Sequence, residues 1–258
     1  MVGTPPTPKV APVPEQPEQQ APPVQRLRIR YAKRGRLRFT SHRDFSRAFE
    51  RAVFRARIPM AYSSGFNPHP RISYAGAAPT GSASEAEYLE IALARVVDPA
   101  SVHAALDEAL PAGLDVLEVV ISRGGALADR LEASHWRLTL AGVPGDAAAD
   151  AVERFLATDE VLVQRMTKKG LRTFNCRDAV VSLTSHVGEV SGGECAILDV
   201  VLRHGTPSVR PDDILAGLRE VAGLDVGAAP LHERQAQGPL DPLTGTVGDP
   251  LEPDRDAV

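Results

Sequence analysis

Cysteine is nearly missing from this 258-residue chain. Only Cys176 and Cys195 occur, which leaves no disulfide framework, no C-x-x-C metal site and no three-cysteine cluster for an iron–sulfur centre. A lone disulfide between the two is not expected in a reducing compartment. No apolar run approaches the roughly 18 residues that a membrane span needs, although 43% hydrophobic residues suffice for a proper core. The first 25 residues, rich in Pro and Gln, hold one lysine and no apolar stretch of the signal-peptide kind. Also missing are G-x-x-x-x-G-K-[ST], a G-x-G-x-x-G in a βαβ setting, H-E-x-x-H and a nucleophile elbow. These absences predict a cytoplasmic protein with no membrane, metal or cofactor and no self-sufficient catalytic motif.

What is present is positive charge, concentrated in one region. Between Arg26 and Tyr74 stand thirteen Arg and Lys against two acids, Asp44 and Glu50, a local balance of +11. The remainder holds 16 basic and 31 acidic residues, or −15, so the overall −4 conceals a strong asymmetry. Such asymmetry points to a polyanion-binding surface. The bland alternative is a basic face that pairs with the acidic remainder.

Residues 1–25 carry too few bulky apolar side chains to offset the entropy of ordering, and the acidic, Pro- and Gly-broken segment 231–258 has the same character. Both are expected to be disordered tails. Between them, a basic domain over 26–122, a linker over 123–133 and a second domain over 134–230 are predicted.

In the first, "RLRIRYA" alternates Leu27, Ile29 and Tyr31 with Arg26, Arg28 and Arg30, a half-buried strand with an arginine face. "RLRF" repeats the alternation with Leu37 and Phe39 inward. Phe45, Ala48, Phe49, Ala52, Val53 and Ala56 follow helical spacing after Ser41 and Asp44, a capping box, and Pro59 marks the exit. Strand-like "EAEYLEIALA", a helix capped by Asp98 with Pro99 at its first position, and the strand "LDVLEVVIS" complete a β-α-β-β-α-β order. The second domain repeats this order more loosely. The expected fold class is α+β, with tandem ferredoxin-like (βαββαβ) domains.

Four features carry chemistry. Arg43, Arg47, Arg51 and Arg55 recur every four residues and wind beside the apolar face of their helix as a stripe. Arg28, Arg30, Arg36 and Arg38 add to it, and guanidinium groups grip phosphates bidentately. His42 opens the helix, where it either packs locally or acts as a proton carrier. The loop "YSSGFNPHPRISY" is stiffened by Gly65, Pro68 and Pro70; Phe66 is expected to anchor it inward, with His69 and Arg71 presenting polar tips. Finally, "TKKGLRTFNCR" sets Lys168, Lys169, Arg172 and Arg177 in an acid-free island, either a second contact or an edge strand protected by lysines.

The run from Arg30 to Leu93 resembles the radical-SAM-linked protein family, whose domain of unknown biochemical function is fused to, or encoded beside, a radical SAM protein. The shared features are the turn at Lys33 and Gly35, the F-x-S-H-x-D run from Phe39 to Asp44, G-F-N-P-H-P from Gly65, and an S-x-x-E-Y-like run from Ser84 to Tyr88. The later "TKKG" and "SVRP" also fit, whereas Asn175 stands where the family usually carries an acid. The resemblance implies a separately encoded radical SAM partner, and family gene neighbourhoods imply RNA.

The expected function is a non-catalytic accessory protein that presents tRNA or rRNA to that partner through a basic cleft. Its site residues would be Arg28, Arg30, Arg36, Arg38, Arg43, Arg47, Arg51, Arg71, Lys168, Lys169, Arg172 and Arg177, with His42 and His69 lining the cleft. Two alternatives stand beside it. One is a metal-independent endoribonuclease using His42, by likeness to the tandem ferredoxin-like enzymes that process CRISPR transcripts, although the glycine-rich C-terminal loop is lacking. The other is a protein-docking adaptor.

Overall fold

The computed structural model describes residues 19–167, 170–190, 193–227 and 229–255. It is a mixed α+β fold with five helices and one large, mostly antiparallel sheet. The first half runs β1 (Gln25–Lys33), α1 (His42–Arg55), β2 (Ile72–Ala75), β3 (Ala83–Leu93), α2 (Pro99–Ala109) and β4 (Val116–Ile121). The second runs β5 (Ala133–Ala141), α3 (Gly145–Ala157), β6 (Leu162–Thr167), β7 (Gly170–Asn175), β8 (Val180–Val190), β9 (Gly193–Arg203), α4 (Pro211–Ala222) and β10 (Leu231–Gly238), followed by the short α5 (Glu252–Arg255). Strand order in the sheet is β4-β1-β3-β10-β5-β9-β8; β2 also pairs with β3, and β6–β7 form a separate hairpin.

Local chemistry accounts for the helix starts. Ser41 caps α1 by accepting from the Asp44 backbone N–H at 3.2 Å while donating its hydroxyl to the Asp44 carboxylate at 2.7 Å. Asp98 caps α2 through the N–H groups of Ala100 and Ser101, with Pro99 in the first turn. The apolar faces then find the sheet. Phe45, Phe49 and Val53 of α1 and Val102 and Leu106 of α2 pack with Leu27, Ile29, Leu89, Ile91 and Leu93. Tyr31 stacks flat on Phe45, with ring centroids 4.4 Å apart. In the second core, Phe155, Ile214 and Leu218 join Leu138, Leu140, Leu198 and Val200. At Gly217 a Cβ would stand 2.8 Å from the Phe155 ring, so glycine is what lets α4 approach α3 there.

The expectation of a disordered tail over 231–258 is overturned for 231–255; residues 256–258 lie outside the described residues. Leu231–Gly238 is the strand that joins the two halves: it pairs antiparallel with β5 and, through Glu233 and Arg234, parallel with Ala83 and Ser84 of β3. Beyond it, Leu240 and Leu251 are buried, the latter in a small cluster with Tyr88, Val120, Leu127 and Leu131. The strand escaped notice because its buried residues are polar. Arg234 and Gln237 are 3% and 1% exposed, so no hydrophobic alternation announces them. Residues 1–18 lie outside the described chain; 19–24 precede β1 without regular structure, apart from a bend at Val24.

Two smaller expectations also change. "RLRF" is not a strand: Gly35–Phe39 forms a 3-10 turn, with Leu37 against the core and Phe39 59% exposed. The chain after residue 170 forms β7 and the long β8. Residues 123–133 are packed, with Leu127 and Leu131 buried and Arg130 bonded to the Pro250 carbonyl and Asp254.

Candidate nucleic-acid interface

Helix α1 turns Phe45, Phe49, Ala52 and Val53 to the core and its arginines outward. Residues four apart rise about 6 Å along the axis, so Arg43, Arg47, Arg51 and Arg55 form a row up the exposed face. Arg43, Arg47 and Arg51 make no hydrogen bond or ion pair among the described residues, and Glu50 neutralises none of them. Arg55 is tied down, its Nη1 donating to the Ala109 carbonyl at 3.1 Å.

Within this row stands Phe54, 83% exposed. Arg47, Glu50, Arg51, Phe54 and Arg55 together line a shallow depression of about 600 Å³. A second groove of about 410 Å³ continues from Phe54 past Arg57 and Ile58 to Tyr62 and Pro70 of the loop before β2. An unpaired cation row beside an exposed ring is a surface that can hold a charged backbone and stack a base.

The loop is a closed structure. The Ser63 N–H donates to the His69 carbonyl at 2.9 Å, and the His69 N–H returns to Ser63 Oγ at 3.0 Å. Gly65 has φ +122°, which the chain reaches easily only with glycine. Arg71, half-buried, spends its Nε–H on the Tyr62 carbonyl at 3.1 Å and so clamps the loop. Phe66 points out, 74% exposed, so the expected inward anchor is corrected: the backbone bonds and prolines hold the loop without it.

His42 stands edge-on to Tyr74 of β2, ring centroids 4.9 Å apart, and burial pushes the Tyr74 phenol up from its ordinary value. His69 is exposed in the loop, and no hydrogen bond or ring contact joins the two histidines.

The strand arginines are mostly consumed by the fold. Arg28 is fully buried, bonded to Glu90, Asp254 and the carbonyls of Gly124 and Gly125, which removes it from any surface role. Arg30 is half-buried and donates to the Glu85 carbonyl at 2.8 Å. Arg36 is exposed and unpaired among the described residues, and the Arg38 guanidinium lies over the Phe39 ring, 4.7 Å from its centroid. In the second island, Arg172 is exposed on β7, while Arg177 donates to the Val180 carbonyl at 3.3 Å. Lys168 and Lys169 lie outside the described residues. The neighbouring Arg165 pairs with Asp213 of α4, so that island does have an acid, supplied from elsewhere in the chain.

Sequence reasoning missed Phe54 and Phe39. The signal for Phe54 was its place among the arginines and off the Phe45–Phe49–Val53 face. Among the described residues, no group of three or more His, Cys, Asp or Glu could hold a metal ion.

No curated protein matches the chain. Among solved structures, the crystal structure of a Cbf5-Nop10-Gar1 complex is similar at 12% identity and a TM-score of 0.43, over 86% of this chain and 56% of that one. The chain thus spans little more than half the length of that relative. A family model matches residues 26–211, and the chain belongs to that family, described as "Uncharacterized protein conserved in bacteria" (DUF2344).

Proposed function

We propose that the protein is a non-catalytic, cytoplasmic RNA-binding accessory protein whose contact surface is α1 with the adjoining loop. The observation that carries the reading is the row Arg43, Arg47 and Arg51, exposed and without internal partners, with the bare Phe54 ring among them. A surface for an acidic protein needs the cations alone; the exposed ring favours a ligand with π-faces. The separately encoded radical SAM partner rests on the motif resemblance, and the RNA it would modify is a tRNA or rRNA.

The same reading takes the two halves, 26–122 and 134–238, as ferredoxin-like units. Strand orders β4-β1-β3-β2 and β10-β5-β9-β8 support it, with the β6–β7 hairpin as an insertion in the second. On this reading β10 closes its own unit while joining the other.

Capture from native lysate tests the function, comparing wild type with Arg43→Glu/Arg47→Glu/Arg51→Glu and identifying bound RNA and protein together. Enrichment of one tRNA or rRNA region that vanishes in the variant is the expected result. Recovery of a radical SAM protein without RNA, unchanged by nuclease, overturns RNA presentation and leaves a docking adaptor.

A further inference from the structure

A third concavity, of about 460 Å³, lies where the two halves meet and is assigned no role above. Arg38 and Phe39 enter it from the 3-10 turn, Thr80 and Ser82 from the loop before β3, Asp212 from the start of α4 and His232 from β10. Its walls are fixed: the Gly81 N–H donates to the Arg38 carbonyl at 2.8 Å, and Lys33 Nζ holds the Ala78 and Pro79 carbonyls at 3.4 and 3.3 Å.

Three features point to a ligand. The His232 side chain is 12% exposed, and its Nε2 is 3.8 Å from the Asp212 carboxylate, beyond hydrogen-bond reach, so this buried nitrogen has no partner. Burial holds the imidazole below its ordinary value despite the opposing Asp212 charge. Arg38 makes no ion pair among the described residues, and Phe39 keeps 59% of its surface exposed at the rim. The lining thus combines an aromatic face, a guanidinium with no ion pair among the described residues, one carboxylate and an imidazole nitrogen without a hydrogen-bond partner in a volume of small-molecule size.

We propose that this cavity binds one nucleoside monophosphate unit, either a free nucleotide or an unstacked residue of an RNA strand. The base lies against Phe39, Arg38 takes the phosphate, and the Asp212 carboxylate, with the His232 imidazole behind it, meets a polar edge of base or ribose. A single arginine opposite a carboxylate suits one phosphate and disfavours di- and triphosphates, whose extra charge Asp212 repels. The RNA source rests on the function proposed above; the free-nucleotide source does not.

Calorimetric titration of the full chain with the four ribonucleoside monophosphates, inorganic phosphate and ATP tests the site. At least one monophosphate is expected to bind at least tenfold more tightly than phosphate or ATP. Phe39→Ala and Arg38→Gln, at partly exposed positions, should each weaken it about tenfold or more with melting temperature unchanged, while His232→Gln should alter the preference among bases. Arg43→Glu/Arg47→Glu/Arg51→Glu should leave this binding intact. Competition of the bound nucleotide with a short RNA supports the strand source, and binding without competition supports the free nucleotide. If no monophosphate binds while the arginine row still holds RNA, the cavity proposal is overturned and the RNA reading stands. If a monophosphate binds and RNA does not, only the RNA reading fails.

Discussion

Arg28 of β1 and Asp254 of α5, 226 residues apart in the chain, form an ion pair at 2.8 Å with neither side chain exposed. The same carboxylate also accepts from Arg130 at 2.6 Å and from the Arg123 backbone N–H at 2.9 Å. The C-terminal segment therefore covers Arg28 of the first strand, while Arg26 on the same face stays exposed.

Removing Asp254 should leave the buried Arg28 with Glu90, at 3.0 Å, as its remaining carboxylate. Breaking a buried pair by deleting one partner costs about 3–5 kcal/mol, and because Glu90 still pairs with Arg28, Asp254→Ala should lower stability by no more than that in urea denaturation. The pH dependence has a definite sign. Burial alone would raise the Asp254 carboxyl, but hydrogen bonds from Arg130, Arg123 and Arg28 outweigh it and hold the group below its usual value. A carboxyl whose folded pKa is depressed stabilises the fold fully above its unfolded value of about 3.9, and that stability is lost as pH falls through the lower folded value. The wild type should thus lose more stability than Asp254→Ala between neutral and acid pH.

The junction of the two halves rests on a second buried pair, Arg234 with Glu87, each side chain 3% exposed. Arg234 also donates to the Gly76 carbonyl at 2.7 Å and to Ser84 Oγ at 3.3 Å, and lies over the Trp136 ring. Glu87→Leu alone should destabilise by about 3–5 kcal/mol, whereas Glu87→Leu/Arg234→Met should recover part of the loss because the guanidinium goes with its partner while the buried Lys33 beside Glu87 stays. Thermal melts of both variants decide it; equal losses would contradict the pairing.

Both cysteines are free and buried, and burial pushes the Cys176 thiol up to about 12. Since the thiolate is the reactive form, Cys176 should not react with iodoacetamide at neutral pH in the native protein, and Cys195, fully buried, should be out of the reagent's reach. Mass spectrometry should find both alkylated only after unfolding.

Much of the first half was legible because its signals are local. Ser41 before Phe45, Phe49 and Val53 marks α1, and Asp98–Pro99 marks α2. Alternation in Leu27–Ile29–Tyr31 and Leu89–Ile91–Leu93 gives the two central strands of that half. What stayed hidden depends on partners far along the chain. A charge count scores Arg28 and Arg51 alike, yet one meets Asp254 in the interior and the other meets water. The strand at Leu231–Gly238 buries Arg234 and Gln237, so its composition reads as a polar tail while its backbone completes a sheet. In the candidate site, the arginine row was readable from its four-residue spacing. The exposure of Phe54, and the meeting of Phe39 with His232 across the halves, required the fold.

Salt-dependent RNA binding tests the central claim most directly. Fluorescence anisotropy of a labelled single-stranded RNA would be followed over a range of salt for wild type and for Arg43→Glu/Arg47→Glu/Arg51→Glu. Each phosphate neutralised on a single strand contributes a slope of about −0.7 in log K against log salt, so three contacts predict a wild-type slope steeper by about 2 than that of the variant. Phe54→Ala should weaken binding by about 1–3 kcal/mol, the loss of one stacked base, with the slope unchanged. Binding with the same affinity and slope in wild type and triple variant, or no binding at low salt, would contradict the assignment of α1 as the RNA contact.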